Sequence, residues 1–130
     1  MKTVNGGKGE TLRIIKRGEI WVVNLDPTIG TEIRKTRPVV VISSDAIGIL
    51  PIRLVAPITE WKAYLARNIW HVKLVPERSN GLRKVSSVDT LQLRGVDTSR
   101  FLKRLGAVSS STMRDIVTAI AAVVEYTEEQ

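Results

Sequence analysis

Between Glu19 and Ile42 the chain reads EIWVVNLDPTIGTEIRKTRPVVVI, two apolar, β-branched runs separated by a polar loop. Glu19–Leu25 (EIWVVNL) and Pro38–Ile42 (PVVVI) are too short and too rich in Val and Ile for helices, and they predict strands. Asp26-Pro27-Thr28-Ile29-Gly30 supplies the turn, with Pro27 suited to a preset φ and Gly30 to a positive one. Further runs of the same kind follow at Ile52–Ile58, Ile69–Val75 and Val85–Leu93, each bounded by Gly, Pro, Asn or Asp. Strands at this spacing suggest a small, strongly bent barrel, because a flat sheet would leave its edges unpaired.

Downstream the period changes. Met113, Ile116, Ile120 and Val123 recur at helical spacing, with Val117 and Val124 widening the stripe, so the chain is expected to close with an amphipathic helix whose start reads as a capping box over Thr112–Asp115. Ser99–Leu105 is read as a shorter helical turn. The fold class is therefore mainly β, with a C-terminal amphipathic α-helix. Residues 1–12 are Gly-rich and basic without hydrophobic period and predict a disordered tail, with residues 13–130 as a single domain.

The 130 residues suffice for one core without a disulfide or metal. The absence of cysteine excludes a thiolate nucleophile and Cys-based zinc motifs, and the single histidine, His71, excludes a two-imidazole ribonuclease site or a His-based metal cluster within one chain. Flanked by Trp70 and Val72 in a strand, His71 reads as a packed or hydrogen-bonded residue. No metal and no cofactor are expected. Twenty Lys and Arg against thirteen Asp and Glu leave a net charge of +7, and twelve of the twenty are Arg, whose planar fork matches phosphate. Neither a signal-peptide core nor a membrane-length apolar run is present, which predicts a cytoplasmic protein with no membrane partner.

The loop Thr31-Glu32-Ile33-Arg34-Lys35-Thr36-Arg37-Pro38 places a carboxylate and three cations before a buried strand, and Pro38 pushes Arg37 towards extended geometry. A guanidinium there can stabilise a charged transition state, and Glu32 is the nearby group able to act as a base. The same spacing fits a solvated loop with an internal ion pair. Thr59 ends a strand with a hydroxyl suited to orienting a phosphate or ribose, as well as to plain β-propensity. Trp61, Tyr64 and Trp70 interleave with Lys62, Arg67 and Lys73 in the manner of single-strand binders; Trp61 is the stacking candidate and Trp70 reads as core. Gln92 and Arg94 share one strand face at period two, as a base-reading pair or as ordinary edge residues.

Taken in order, Arg17-Gly18-Glu19-Ile20-Trp21, Leu25, Pro27, Gly30, Glu32, Arg37-Pro38-Val39-Val40-Val41, Pro57-Ile58-Thr59, Gly81-Leu82, Ser86, Gln92, Arg94, Asp97 and Arg100 resemble the PemK/MazF-type toxins over about residues 16–124. The resemblance implies an SH3-like β-barrel with a C-terminal helix, a homodimer, and a sequence-specific, metal-independent endoribonuclease that cuts single-stranded mRNA and is restrained by an antitoxin. It implies Arg37 and Thr59 as catalytic residues and Glu32 as a loop carboxylate proposed as base. The 2′-hydroxyl would attack the adjacent phosphate, giving a 2′,3′-cyclic phosphate and a 5′-hydroxyl. Arg34, Lys35, Thr36, Trp61, Gln92 and Arg94 are the RNA-binding candidates. A groove lined by Arg34, Lys35, Arg37 and Arg94 would attract an acidic, partly disordered antitoxin segment, and Ile47, Ile49 and Leu50 offer an apolar loop for dimerisation. Leu91 stands where many members are acidic. Two other classes remain at this point: a same-fold toxin that poisons gyrase, against which the absence of a C-terminal tryptophan argues, and a noncatalytic RNA-binding barrel.

Overall fold

The computed structural model describes residues 14–128; the N-terminal tail expected over residues 1–12 lies outside them. Seven strands and one α-helix follow in order: β1 Glu19–Asn24, β2 Thr36–Val41, β3 Ile52–Glu60, β4 His71–Leu74, β5 Ser86–Asp89, β6 Arg94–Asp97, β7 Phe101–Ala107 and α1 Ser110–Val123. All ladders are antiparallel. The sheet runs β4-β5-β3-β2-β1-β7, and β6 pairs with the first half of β3 while β5 pairs with its last three residues.

The continuous apolar runs are explained by burial on both faces. Trp21, Val23, Val39, Val41 and Val55 point into one core with Val96 and Phe101, where the Trp21 and Phe101 rings meet edge to face at 5.7 Å. Ile20, Val40, Ala56, Ile58 and Val88 point the other way, against Met113 and Ile116 of α1. A strand with both faces covered has no polar face to alternate with, which is why PVVVI shows no period of two.

The barrel is incomplete. Among the described residues no ladder joins β4 to β7; the connection between β4 and β5 spans the gap instead, with the Ala107 N–H donating to the Ser79 carbonyl at 2.9 Å. Asn80, 5% exposed, holds this connection in shape: its Oδ1 accepts from the Glu77 and Leu82 N–H groups and its Nδ2 donates to the Val75 carbonyl. Gly81 and Gly106 permit the close approach, since a Cβ on Gly81 would run into the Leu105 carbonyl and one on Gly106 into the backbone of Ser79 and Asn80.

Several local expectations are corrected. The run Val85–Leu93 is not one strand: β5 ends at Asp89, whose carboxylate accepts from the Leu91 N–H and starts a 3₁₀ turn over Thr90–Gln92 before β6 begins. Thr90 donates from both its N–H and its hydroxyl to the Trp70 carbonyl, which fixes the break. The helical turn read over Ser99–Leu105 is confined to a 3₁₀ turn at Thr98–Arg100, and β7 follows; register shifts against β1 obscure its alternation. Helix α1 is capped by Ser109, whose hydroxyl accepts from the Thr112 N–H, so it starts before the expected Thr112–Asp115 box. Val117 and Val124 are exposed rather than part of the buried stripe. No described helix is long and apolar enough to cross a membrane.

Candidate active site

The register of β2 against β3 sets the site. Val39 lies opposite Pro57 where the β2–β3 ladder ends, and Arg37 and Thr59 each lie two residues beyond that pair, on the strand faces of Val39 and Pro57. Thr59 pairs with Ser87 of β5, and Ser87 with Lys73 of β4, which makes a row across three strands: Thr59, Ser87, Lys73. Arg37 is exposed, and its Nε donates to the Arg34 carbonyl at 3.2 Å, which orients the fork at the mouth of β2. Thr59 is half-buried one residue before β3 ends.

Beside this row lies a cleft of about 490 Å³ lined by Thr31, Glu32, Ile33, Pro57 and the segment Leu91–Arg94. Pro57 forms its floor and belongs to the same strand face as Thr59. Its walls are the loop between β1 and β2 and the turn leading into β6. Three expected site residues line it: Glu32, Gln92 and Arg94.

The loop is held by its own polar groups. Glu32 Oε1 accepts from the Ile29 N–H at 2.9 Å, leaving the second carboxylate oxygen for other partners. Lys35 has φ 70°, a left-handed backbone that costs of order 1–3 kcal/mol in a residue with a Cβ. Two hydrogen bonds enforce it: the Lys35 N–H donates to Asp26 Oδ1 at 3.0 Å and its carbonyl accepts from the Leu25 N–H at 2.9 Å. Arg34, Lys35 and Thr36 are all exposed on the Arg37 side of the loop. They do not line the cleft.

Gln92 and Arg94 do not share a strand face, because Gln92 sits in the 3₁₀ turn and Arg94 opens β6. The Gln92 amide is committed to the loop opposite: Oε1 accepts from the Ile33 N–H at 2.6 Å and Nε2 donates to the Thr31 carbonyl at 3.4 Å. It clamps the cleft rather than offering a free edge. Arg94 Nη1 donates to the Leu25 carbonyl at 3.0 Å. Trp61 continues the β3–β5 pairing through its N–H to the Val85 carbonyl, and Lys73 Nζ stands 5.1 Å from its ring centroid. Trp70 is half-buried, with its carbonyl holding Thr90.

Sequence reasoning named Arg37, Thr59 and Glu32 as candidates but not Ser87 and Asp89, which are buried, Ser87 opposite Thr59 and Asp89 opposite His71. His71 is packed and hydrogen-bonded, as read: its Nδ1 is 2.7 Å from Ser87 Oγ. Among the described residues no group of three or more His, Cys, Asp or Glu could hold a metal ion.

Residues 16–124 match the family model described as PemK-like, MazF-like toxin of type II toxin-antitoxin system. The chain belongs to this family. It is 31% identical over 113 residues to Endoribonuclease MazF9 of Mycobacterium tuberculosis, a match covering 82% of this chain and 93% of that protein. The crystal structure of MazF from Deinococcus radiodurans superimposes with a TM-score of 0.74 at 20% identity, over 88% of this chain and 99% of that one. An endoribonuclease in complex with its cognate antitoxin from a mycobacterial species superimposes with a TM-score of 0.71 at 16% identity, over 89% and 100%. At such identities the two structures speak for the fold. In this PemK-like, MazF-like chain every element that frames the cleft, from β1 to β6, lies within the matched residues.

Proposed function

We propose that this chain is the endoribonuclease toxin of a type II toxin-antitoxin pair, cutting single-stranded mRNA at specific sequences by attack of the ribose 2′-hydroxyl on the adjacent phosphate. The observation that supports the reading is the β2–β3 register, which pairs Val39 with Pro57 two residues short of Arg37 and Thr59, together with the cleft lined by Pro57 and the Glu32 carboxylate. The attacking hydroxyl is already part of the substrate, so positioning supplies much of the rate and the protein's task is charge and proton handling. Arg37 neutralises the dianionic phosphorane and Thr59 donates to a nonbridging oxygen. Glu32, through the oxygen not bound to Ile29, takes the 2′-hydroxyl proton as the P–O2′ bond forms; the P–O5′ bond then breaks and the departing 5′-oxygen takes a proton from water.

The cleft volume suits one nucleotide. Arg94 faces it as a base or phosphate contact, Gln92 keeps its walls together, Arg34, Lys35 and Thr36 hold the strand beyond Arg37, and Trp61 stacks a base beside Lys73. The basic rim is the surface on which an acidic antitoxin segment competes with RNA, in keeping with the antitoxin complex of the mycobacterial structure. A homodimer is supported by Ile49, Leu50, Ile52 and Leu54, which expose apolar side chains together at the start of β3.

Incubation with a long, weakly structured RNA in EDTA tests this reading. Wild-type protein is expected to produce discrete cuts with 5′-hydroxyl ends, lost in Arg37→Ala and Thr59→Ala; RNA left intact by folded, antitoxin-free protein would overturn it.

A further inference from the structure

We propose that His71 is a positioning residue that ties together the two halves of the site, Thr59 through Ser87 and the Glu32 loop through Asp89; the inference rests on the ribonuclease reading above. The His71 side chain, at the start of β4, is 8% exposed, and His71 pairs with Asp89 of β5. One ring nitrogen, Nδ1, is bonded to Ser87 Oγ at 2.7 Å, and the other, Nε2, stands 3.9 Å from Asp89 Oδ2, adjacent to it but too far for a hydrogen bond.

Each neighbour leads to a different part of the site. Ser87 is fully buried and is the cross-strand partner of Thr59, a pairing that sets Cβ atoms about 4.5–5.5 Å apart. Asp89 accepts from the Leu91 N–H through its other oxygen, Oδ1, and so caps the turn that carries Gln92. Gln92 clamps Thr31 and Ile33, the residues on either side of Glu32. A displaced imidazole therefore reaches the phosphate-binding hydroxyl along one path and the carboxylate along the other.

Ser, His and Asp together suggest a nucleophilic triad, but Ser87 has no solvent exposure and cannot meet a substrate. An apolar side chain at 71 would fill the space without the cost of burying polar groups. What the imidazole adds is direction, since its hydrogen bond to Ser87 in a buried setting holds the two side chains in one arrangement.

The test is steady-state cleavage of an oligoribonucleotide carrying one mapped cut site by wild type, His71→Leu, His71→Asn and His71→Gln, with thermal unfolding of each. The Asn amide can stand where Nδ1 stands and keep the Ser87 bond. His71→Leu is expected to lower kcat about 10- to 100-fold while KM changes by less than about threefold, and His71→Asn to recover most of kcat. A purely structural role would instead track unfolding temperature and show no rescue by Asn. Wild-type kcat in His71→Leu, or equal losses in Asn and Leu, would overturn the inference. Should His71→Leu not fold, the Asn and Gln pair decides: kcat kept by Asn and lost by Gln supports it, and equal values overturn it. Failure of wild type itself to cut any RNA would overturn the ribonuclease reading and this inference with it.

Discussion

In the proposed mechanism Arg37 is the residue on which the chemistry turns, and its surroundings separate charge from shape. Its Nε is engaged by the Arg34 carbonyl, which leaves the two terminal nitrogens for a phosphate. Arg37→Ala is expected to lower kcat about 10²- to 10³-fold with an unchanged circular dichroism spectrum, and Arg37→Lys to recover only part, because an ammonium lacks the fork. Glu19 makes a second, independent case. Burial pushes its carboxyl up, but hydrogen bonds from the Lys16 N–H, the Trp21 indole and the Arg104 guanidinium outweigh that and hold it below the usual range. A depressed carboxylate stabilises the fold above the unfolded value of about 4.3 and loses that contribution as pH falls through the folded value. Urea midpoints from pH 7 to pH 3 should therefore fall more steeply for wild type than for Glu19→Gln; parallel curves would contradict the assignment. At this scale the sequence offered Arg37, Thr59 and Glu32 as candidates because Pro38, a strand end and a loop carboxylate are local signals. Ser87 and Asp89 were hidden, since only the pairing of β3, β4 and β5 shows that they stand beside Thr59 and His71.

Among the elements, the connection between β4 and β5 performs the work of a missing ladder. It lies against β7 through Ser79, Asn80 and Gly81, with Gly106 beneath. Asn80→Ala removes a buried side chain that satisfies three backbone groups, and a loss of about 2–3 kcal/mol in chemical denaturation is expected. Gly106→Ala should destabilise by about 1–3 kcal/mol or more, because the backbone it meets cannot move aside without breaking the Ala107–Ser79 bond. Wild-type denaturation midpoints in both variants would show that the connection is not what closes the molecule. Strands β1 to β5 and α1 were legible from apolar runs and helical period. Strands β6 and β7 were not: three of the four residues of RGVD are glycine or charged, and in FLKRLGA only Phe101 and Gly106 are buried, five residues apart.

For the whole molecule, the net charge of +7 and the exposed apolar start of β3 carry separate consequences. If Arg34, Lys35, Arg37 and Arg94 contact phosphates, RNA affinity should fall with salt with a log–log slope of about −2 to −3, and Arg34→Ala should reduce its magnitude by about 0.7. The proposed homodimer predicts that Leu50→Glu, which places a charge in the apolar patch, shifts sedimentation from dimer towards monomer, whereas an unchanged dimer would place the interface elsewhere and a monomeric wild type would contradict the homodimer itself. The charge was readable from composition, but the unclosed sheet and the cleft between two loops were not, because both depend on contacts distant in the chain. The measurement that tests the central claim most directly is end-mapping of RNA cut in EDTA by wild type beside Arg37→Ala and Thr59→Ala. Discrete 5′-hydroxyl ends that vanish in both variants are the expected result; cuts that persist in Arg37→Ala, or the absence of any cut by wild type, would contradict it.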